Sequence, residues 1–371
     1  MEPLVAETVH LADRTPQVSA EDLLAGFHPS YRFGEVSFDT YIPDPAHPSQ
    51  ADAVSRLRDF AASIKGGSKG GSKGNGAGGG GGLFGFLKGG KSGSAGKSKG
   101  ATSAAGIYLD GGFGVGKTHL LASTWHAAPG PKAFGTFVEY TNLVGALSFR
   151  KAVDVLKEYT LVCIDEFELD DPGDTVLMSR LMRELSDAGV KLVATSNTLP
   201  GSLGDGRFAA QDFKREIQVL ADQFDVIRVD GEDYRHRGLT AAPDPLEDDQ
   251  LLTVLTDRFP DAAVVSEDSF EDLTANLSRV HPSRYRKLVE DIDVMVLHDV
   301  ETITEQAMAL RFVVLADRLY DKDVPVIASG VPFDRLFTEE MMSGGYMKKY
   351  FRTVSRMTAL VREGQMGETG L

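Results

Sequence analysis

A chain of 371 residues, 42% apolar and 25% charged, carries enough apolar surface for a sizeable core and about two domains. Its 54 acidic against 39 basic side chains leave a formal net charge of -15, which argues against tight nonspecific binding to DNA or anionic lipid, because the summed field repels phosphate. The single cysteine, Cys163, excludes an intrachain disulfide and a cysteine-based metal site, and it points to a reducing compartment.

The first twenty residues lack an apolar core of secretory length, and no apolar run reaches the roughly 18 residues that spanning a bilayer takes. A cytoplasmic protein is expected. Ala53, Leu57, Phe60 and Ile64 recur at helical spacing, which predicts a helix over 52–64. Residues 65–100 then break the composition: 17 are Gly, seven are Lys and none is acidic, so this stretch is expected to be a disordered insertion. Its apolar island, Leu83 to Leu87, beside Lys88 and Lys91, is either a tolerated loop centre or a docking element for a partner or anionic membrane. Five residues are too few to anchor alone, so at most peripheral membrane contact follows.

After the insertion, apolar runs at 106–109, 136–140, 161–164, 191–195 and 225–229 read as strands, with amphipathic helices between several of them. The clearest helix, 174–188, carries Leu177, Met178, Leu181, Met182 and Leu185 on one stripe. Such alternation predicts an α/β fold built on a five-stranded parallel sheet. Beyond about residue 240, helical stretches at 246–259, 267–279 and 282–292 predict a small helical lid over 241–292. A C-terminal α/β extension over 293–371 is expected to follow, with apolar runs at 294–297 and 324–328 and helices at 304–320 and 346–362. The expected divisions are therefore 1–64, 65–100, 101–240, 241–292 and 293–371. At a constant offset of 134, Val162, Asp165, Leu181, Leu185 and Ala194 face Val296, Asp299, Leu315, Leu319 and Ala328. Two βαβ units share periodicity and turn chemistry by necessity, so chance is the favoured account, and the match serves only to predict that strands return late in the chain.

Gly111-Gly112-Phe113-Gly114-Val115-Gly116-Lys117-Thr118 matches the phosphate-binding loop, placed after a strand and before a helix that continues with His119. The glycines let backbone N–H groups close on phosphate, Lys117 reaches the β- and γ-phosphates, and Thr118 offers its hydroxyl to Mg²⁺. The apolar run 161–164 ends in Asp165-Glu166. There Asp165 is expected to hold the Mg²⁺ shell and Glu166 to polarise the attacking water. Asn197, after the next strand, is placed to contact γ-phosphate and water. Guanine selection by N-K-x-D is missing, since no asparagine precedes a lysine, so ATP is the expected nucleotide.

With GGFGVGKTHLL, LVCIDEFELDDPGD, VKLVATSNTLPGSL and VDGEDYRHRGL, the run from Gly106 to Arg237 resembles the ZapE-type AAA+ ATPases. These are bacterial cell-division proteins with mitochondrial relatives. The likeness continues faintly at Arg311-Phe312, Leu319-Tyr320-Asp321 and 351–356, and the Gly/Lys insertion departs from the family pattern. The resemblance implies a P-loop AAA+ core, ATP hydrolysis, a homo-oligomer, association with the FtsZ ring at the inner membrane, and no specific nucleic acid. It also implies an arginine acting on the neighbouring subunit's nucleotide, for which Arg207 and Arg215 are the candidates. An arginine sensing nucleotide from the same chain is expected at Arg284, with Arg286 and Arg352 as rivals. Tyr41 and Gln50 are candidates to meet adenine, with packing as the safer role. Two other readings stay open: a helicase-loader-like ATPase, and a scaffold gated by ATP binding rather than turnover.

Overall fold

The computed structural model describes residues 6–65, 106–112, 114–168, 172–199, 218, 221–232 and 242–367. Nearly all of the expected insertion, together with Phe113, Arg207 and Arg215, lies outside the described residues.

The chain opens with a short strand, β1 (Glu7–Val9), and a brief helix, α1 (Ala20–Ala25), started by reciprocal capping between Ser19 and Asp22. Helix α2 (Pro48–Ser63) begins on proline and buries Ala53 and Leu57 of the predicted stripe. There follow β2 (Gly106–Gly111), α3 (Lys117–Ala127), β3 (Lys132–Thr136), α4 (Phe137–Leu147), α5 (Phe149–Leu156), β4 (Leu161–Asp165), α6 (Pro172–Asp187), β5 (Lys191–Ser196) and β6 (Phe224–Val229). The last five strands pair in parallel in the order β3-β4-β5-β2-β6, the five-stranded sheet that the sequence predicts. Strands β2 and β4 are buried along their whole length, as sheets covered on both faces require. Tyr108, Val162 and Ile164 point to the face packed by Tyr140, Leu156 and Leu181, while Leu109, Leu161 and Cys163 meet Leu57, Leu120 and Leu121 on the other.

The strand expected over 136–140 is a correction. The strand lies earlier, at Lys132–Thr136, and ends where α4 begins. Thr136 caps that helix: its hydroxyl accepts from the Glu139 N–H, and the Glu139 carboxylate accepts from the Thr136 N–H at 2.7 Å. The T-x-x-E signature outweighs the aromatic and β-branched composition of the run.

The region after residue 241 also divides differently. Helices Asp248–Arg258, Phe270–Arg279 and Tyr285–Leu288 fall where helices are expected, but Val264–Ser269 between them is a strand, β7. It pairs in parallel with β1 on one side and with β8 (Val294–Val300) on the other, and β9 (Val326–Gly330) completes a four-stranded sheet in the order β1-β7-β8-β9. The divisions expected at 292/293 and at 1–64 therefore do not hold. The first cuts this second sheet, and the amino-terminal strand belongs to it while α2 packs on the first core. The run VVSEDS is short, and four of its six residues are polar, so its strand character comes from its neighbours rather than from its own pattern.

The expectation of late strands holds. Helix Gln306–Lys322 between β8 and β9 repeats α6 between β4 and β5 at close to the predicted offset. The repetition reaches the backbone. With a one-residue shift from that offset, Glu166 and Asp299 both take a left-handed φ, at 52° and 54°, and their N–H groups donate to Thr195 and Ser329 hydroxyls at 3.1 and 2.9 Å. No helix of the described residues is long and apolar enough to cross a membrane.

The terminal helix, Met347–Met366, lies across the second sheet, burying Tyr350, Met357 and Leu360. Near its end Gly364 approaches β9 so closely that a Cβ would strike the Val326 carbonyl. Gly364→Ala is expected to lower stability in urea unfolding by about 1–3 kcal/mol through overpacking, despite alanine's gain of about 1 kcal/mol in helix propensity. An unchanged or higher midpoint would show that this contact does not set the helix position.

Candidate active site

The site is built at the carboxyl ends of three neighbouring strands, where parallel sheets present their loops. Strand β2 leads into the glycine loop, β4 ends in Asp165, and β5, which leads to Asn197, lies between them. In the loop, Gly114 and Gly116 take positive φ of 72° and 83°, and Gly116 also lies against the Tyr41 ring with no room for a Cβ. Only glycine meets both demands.

Helix α3 begins at Lys117, which is buried, and its ammonium donates to the Gly111 carbonyl at 3.0 Å, to the Gly112 carbonyl, and to Asn197 Oδ1 at 2.9 Å. Phosphate oxygens bound by the loop would meet the same head group. The structure thus brings Lys117 and Asn197 together across 80 residues of chain.

Thr118 donates through its hydroxyl to Asp165 Oδ2 at 3.0 Å, and Thr195 donates to Asp165 Oδ1. Burial pushes the Asp165 carboxyl up, and the neighbouring Glu166 adds to this, while the two threonine hydroxyls oppose it. A buried acid met by neutral donors, beside a second hydroxyl oxygen, is a hard-oxygen set that fits Mg²⁺.

Glu166 occupies the left-handed turn just beyond β4, a strained conformation for a residue other than glycine. Two anchors hold it. Its N–H donates to Thr195, and the next residue, Phe167, is fully buried edge-on against Phe137 with centroids 5.0 Å apart. The turn separates the two carboxylates, so that Asp165 faces Thr118 while Glu166 Oε1 meets Arg352 at 2.5 Å. Burial would raise the Glu166 carboxyl, but Arg352 and then Arg356 hold it down, to about 2.

The remaining candidates fall in three groups. Tyr41 and Gln50 do lie beside the loop. The Tyr41 hydroxyl donates to the Val115 carbonyl at 2.8 Å, and Gln50 is buried, donating to the Asp230 carbonyl and accepting from the Asp44 N–H, both at 2.8 Å. Those bonds occupy Gln50 in packing the loop's surroundings. His119 faces the same segment, with Nε2 3.0 Å from the Thr40 hydroxyl and 3.1 Å from the Ser37 carbonyl, and burial lowers its pKa. Arg284 is turned to the Pro16 carbonyl at 3.4 Å, and Arg286 donates to the Gly26 carbonyl. Arg284 sits on a short helical turn facing the amino-terminal segment, whereas the terminal helix leans on the end of β4 and delivers Arg352. Sequence reasoning missed Arg356, Asp317 and Thr195. The spacing of Arg352 and Arg356, one helical turn apart, was the available signal for the first of these.

The AFG1-like ATPase family matches residues 46–257 and 258–367. The chain is 30% identical over 310 residues to the cell division protein ZapE of Escherichia coli (strain K12), covering 71% of this chain and 79% of that protein. It is 25% identical over 235 residues to lactation elevated protein 1 homolog B of Danio rerio, covering 53% and 45% of the two. Among solved structures, a replication initiator DnaA bound to AMPPCP and single-stranded DNA overlaps 88% of this chain and 87% of its own at 10% identity and a TM-score of 0.38. A DnaC helicase loader overlaps 54% and 99% at 15% identity and a TM-score of 0.35.

Proposed function

The chain belongs to the AFG1-like ATPase family, and from that premise we propose that it is a Mg²⁺-dependent, oligomeric mechanoenzyme acting in cell division, with the FtsZ ring as its target. The observation that supports this reading best is the convergence of Lys117 with Asn197, and of Thr118 with Asp165, at adjacent strand ends. The division role is carried over from the bacterial relative, a cell division protein.

ATP bound with Mg²⁺ supplies the scissile phosphoanhydride and the charge screening on its oxygens. The loop N–H groups and Lys117 bind and orient the phosphates, and the Thr118 and Asp165 oxygens hold the cation. Asn197 orients the attacking water from the side of the γ-phosphate. Glu166, held off the line of β4 by its left-handed turn, takes a proton from that water at a carboxylate oxygen. Arg207, or Arg215 after it, reaches the nucleotide of the neighbouring subunit.

Phosphate release measured against protein concentration, with and without chelator, tests this. Activity is expected to vanish with EDTA, to return with Mg²⁺, and to rise per subunit as the chain assembles. Arg207→Ala is expected to lower turnover about 10³-fold or more without disturbing assembly. Specific activity that is flat with concentration and survives Arg207→Ala would remove the shared site between subunits.

A further inference from the structure

The arginines of the terminal helix meet Glu166 in a closed ion-pair array. Arg352 Nη1 lies 2.5 Å from Glu166 Oε1 and its Nη2 lies 2.8 Å from Asp317 Oδ2. Arg356 pairs with the other oxygen of Asp317 and stands 3.9 Å from Glu166 Oε1. Arg352 and Asp317 are the more withdrawn, at 11% and 16% exposed, and Glu166 keeps 32% of its side chain open to solvent. Three of them belong to the second unit: Asp317 comes from helix Gln306–Lys322 and both arginines from Met347–Met366. Glu166 alone comes from the nucleotide side.

The charge-assisted bond engages Glu166 Oε1 and holds the side chain toward the terminal helix, so the carboxylate is not free to turn to a water at the nucleotide. One further feature marks the array as other than a fully satisfied structural pair. Arg352 Nε is buried and has no hydrogen-bond acceptor among the described residues, so the guanidinium keeps a donor unspent. The helix that bears it is integral to the second sheet, with Tyr350, Thr353 and Met357 buried around it. The backbone that carries Arg352 is therefore fixed to the second unit.

We propose that Arg352, backed by Asp317 and Arg356, is a positioning residue that holds Glu166 out of action, so that displacement of the second unit releases the carboxylate for water activation. This rests on the reading of Glu166 as the water-polarising group. It makes the second α/β unit the input through which a protein partner or a neighbouring subunit sets turnover. Contacts from α4 and from the helical turn Tyr31–Phe33 also cross to the second unit, Arg318 to Glu139 at 3.1 Å and Arg32 to the Tyr320 carbonyl at 2.9 Å, so the displacement is resisted at more than one point.

The test uses the full chain and basal Mg²⁺-ATP turnover, with kcat, KM and nucleotide affinity measured for Arg352→Gln, Arg352→Lys and Glu166→Gln/Arg352→Gln. Arg352→Gln is expected to raise kcat about five- to tenfold with KM and affinity little changed, a coupling of ordinary size for a regulatory contact. Arg352→Lys is expected to return kcat toward the parent value, since a cation again faces Glu166. The gain is expected to disappear in the double variant. A kcat for Arg352→Gln that is unchanged or lower, with affinity intact, would overturn the restraint. If that variant does not fold because Asp317 is left buried beside a neutral side chain, Arg352→Gln/Asp317→Asn carries the same expectation and the same overturning result. Glu166→Gln alone separates the two levels. Full activity there sinks the role of Glu166 itself, whereas an inactive Glu166→Gln beside an unstimulated Arg352→Gln sinks only the restraint.

Discussion

Lys117→Ala is expected to reduce ATP turnover by about 10²- to 10³-fold, equivalent to roughly 3–4 kcal/mol of transition-state stabilisation. The ammonium sits among the Gly111 and Gly112 carbonyls and Asn197 Oδ1, at the mouth of a loop whose left-handed glycines and following helix favour anions. Alanine leaves the loop's shape but removes the cation that answers charge on the transferred phosphoryl group. Without nucleotide the melting temperature should change little. With Mg²⁺-ATP the parent chain should gain stability by mass action, and the variant should lose most of that gain. Phosphate release and the ATP-induced melting shift together check this. Turnover within a few-fold of the parent would refute the assignment of Lys117 to the phosphates.

Glu166→Gln is the second variant with a large expected effect. Loss of the proton acceptor should slow hydrolysis by about 10²- to 10⁴-fold while nucleotide affinity stays close to that of the parent. The amide keeps the side chain's size, and the backbone anchors, the Thr195 hydroxyl and buried Phe167, do not depend on the carboxylate. Single-turnover hydrolysis and a nucleotide titration on the same preparation separate chemistry from binding. The same variant discriminates a hydrolysing mechanoenzyme from a scaffold gated by ATP binding. A scaffold would keep its effect on the division machinery with Glu166→Gln in place, and a turnover-driven process would lose it.

Much of this site is legible in the linear chain because its parts are local. The loop from Gly111 to Thr118 announces itself by glycine spacing and by the strand and helix around it, and Asp165-Glu166 by two acids at the end of an apolar run. Asn197 follows from its place after the next strand. Each motif needs only a few neighbouring residues to take its shape, so short-range pattern suffices. Where local signals compete, the pattern misleads. The run 136–140 reads as a strand by composition, yet Thr136 and Glu139 cap each other and start a helix there.

Contacts made across long separations are a different matter. Strand β7 is short and mostly polar, and it is a strand because β1, from more than 250 residues earlier, and β8 flank it. The amino terminus therefore belongs to the second sheet, a placement that no property of residues 7–9 announces. The arginine at the site is likewise a matter of packing. Arg284, Arg286 and Arg352 are chemically equivalent in the linear chain, and the docking of the terminal helix against β9, through Gly364, is what brings Arg352 to Glu166 and leaves Arg284 at Pro16. Residue type and spacing specify the nucleotide chemistry, because phosphate and cation binding are short-range demands on backbone and side chain. Which distant cation restrains that chemistry is specified by how two sheets and their covering helices fit together, and a sequence pattern carries no record of that fit.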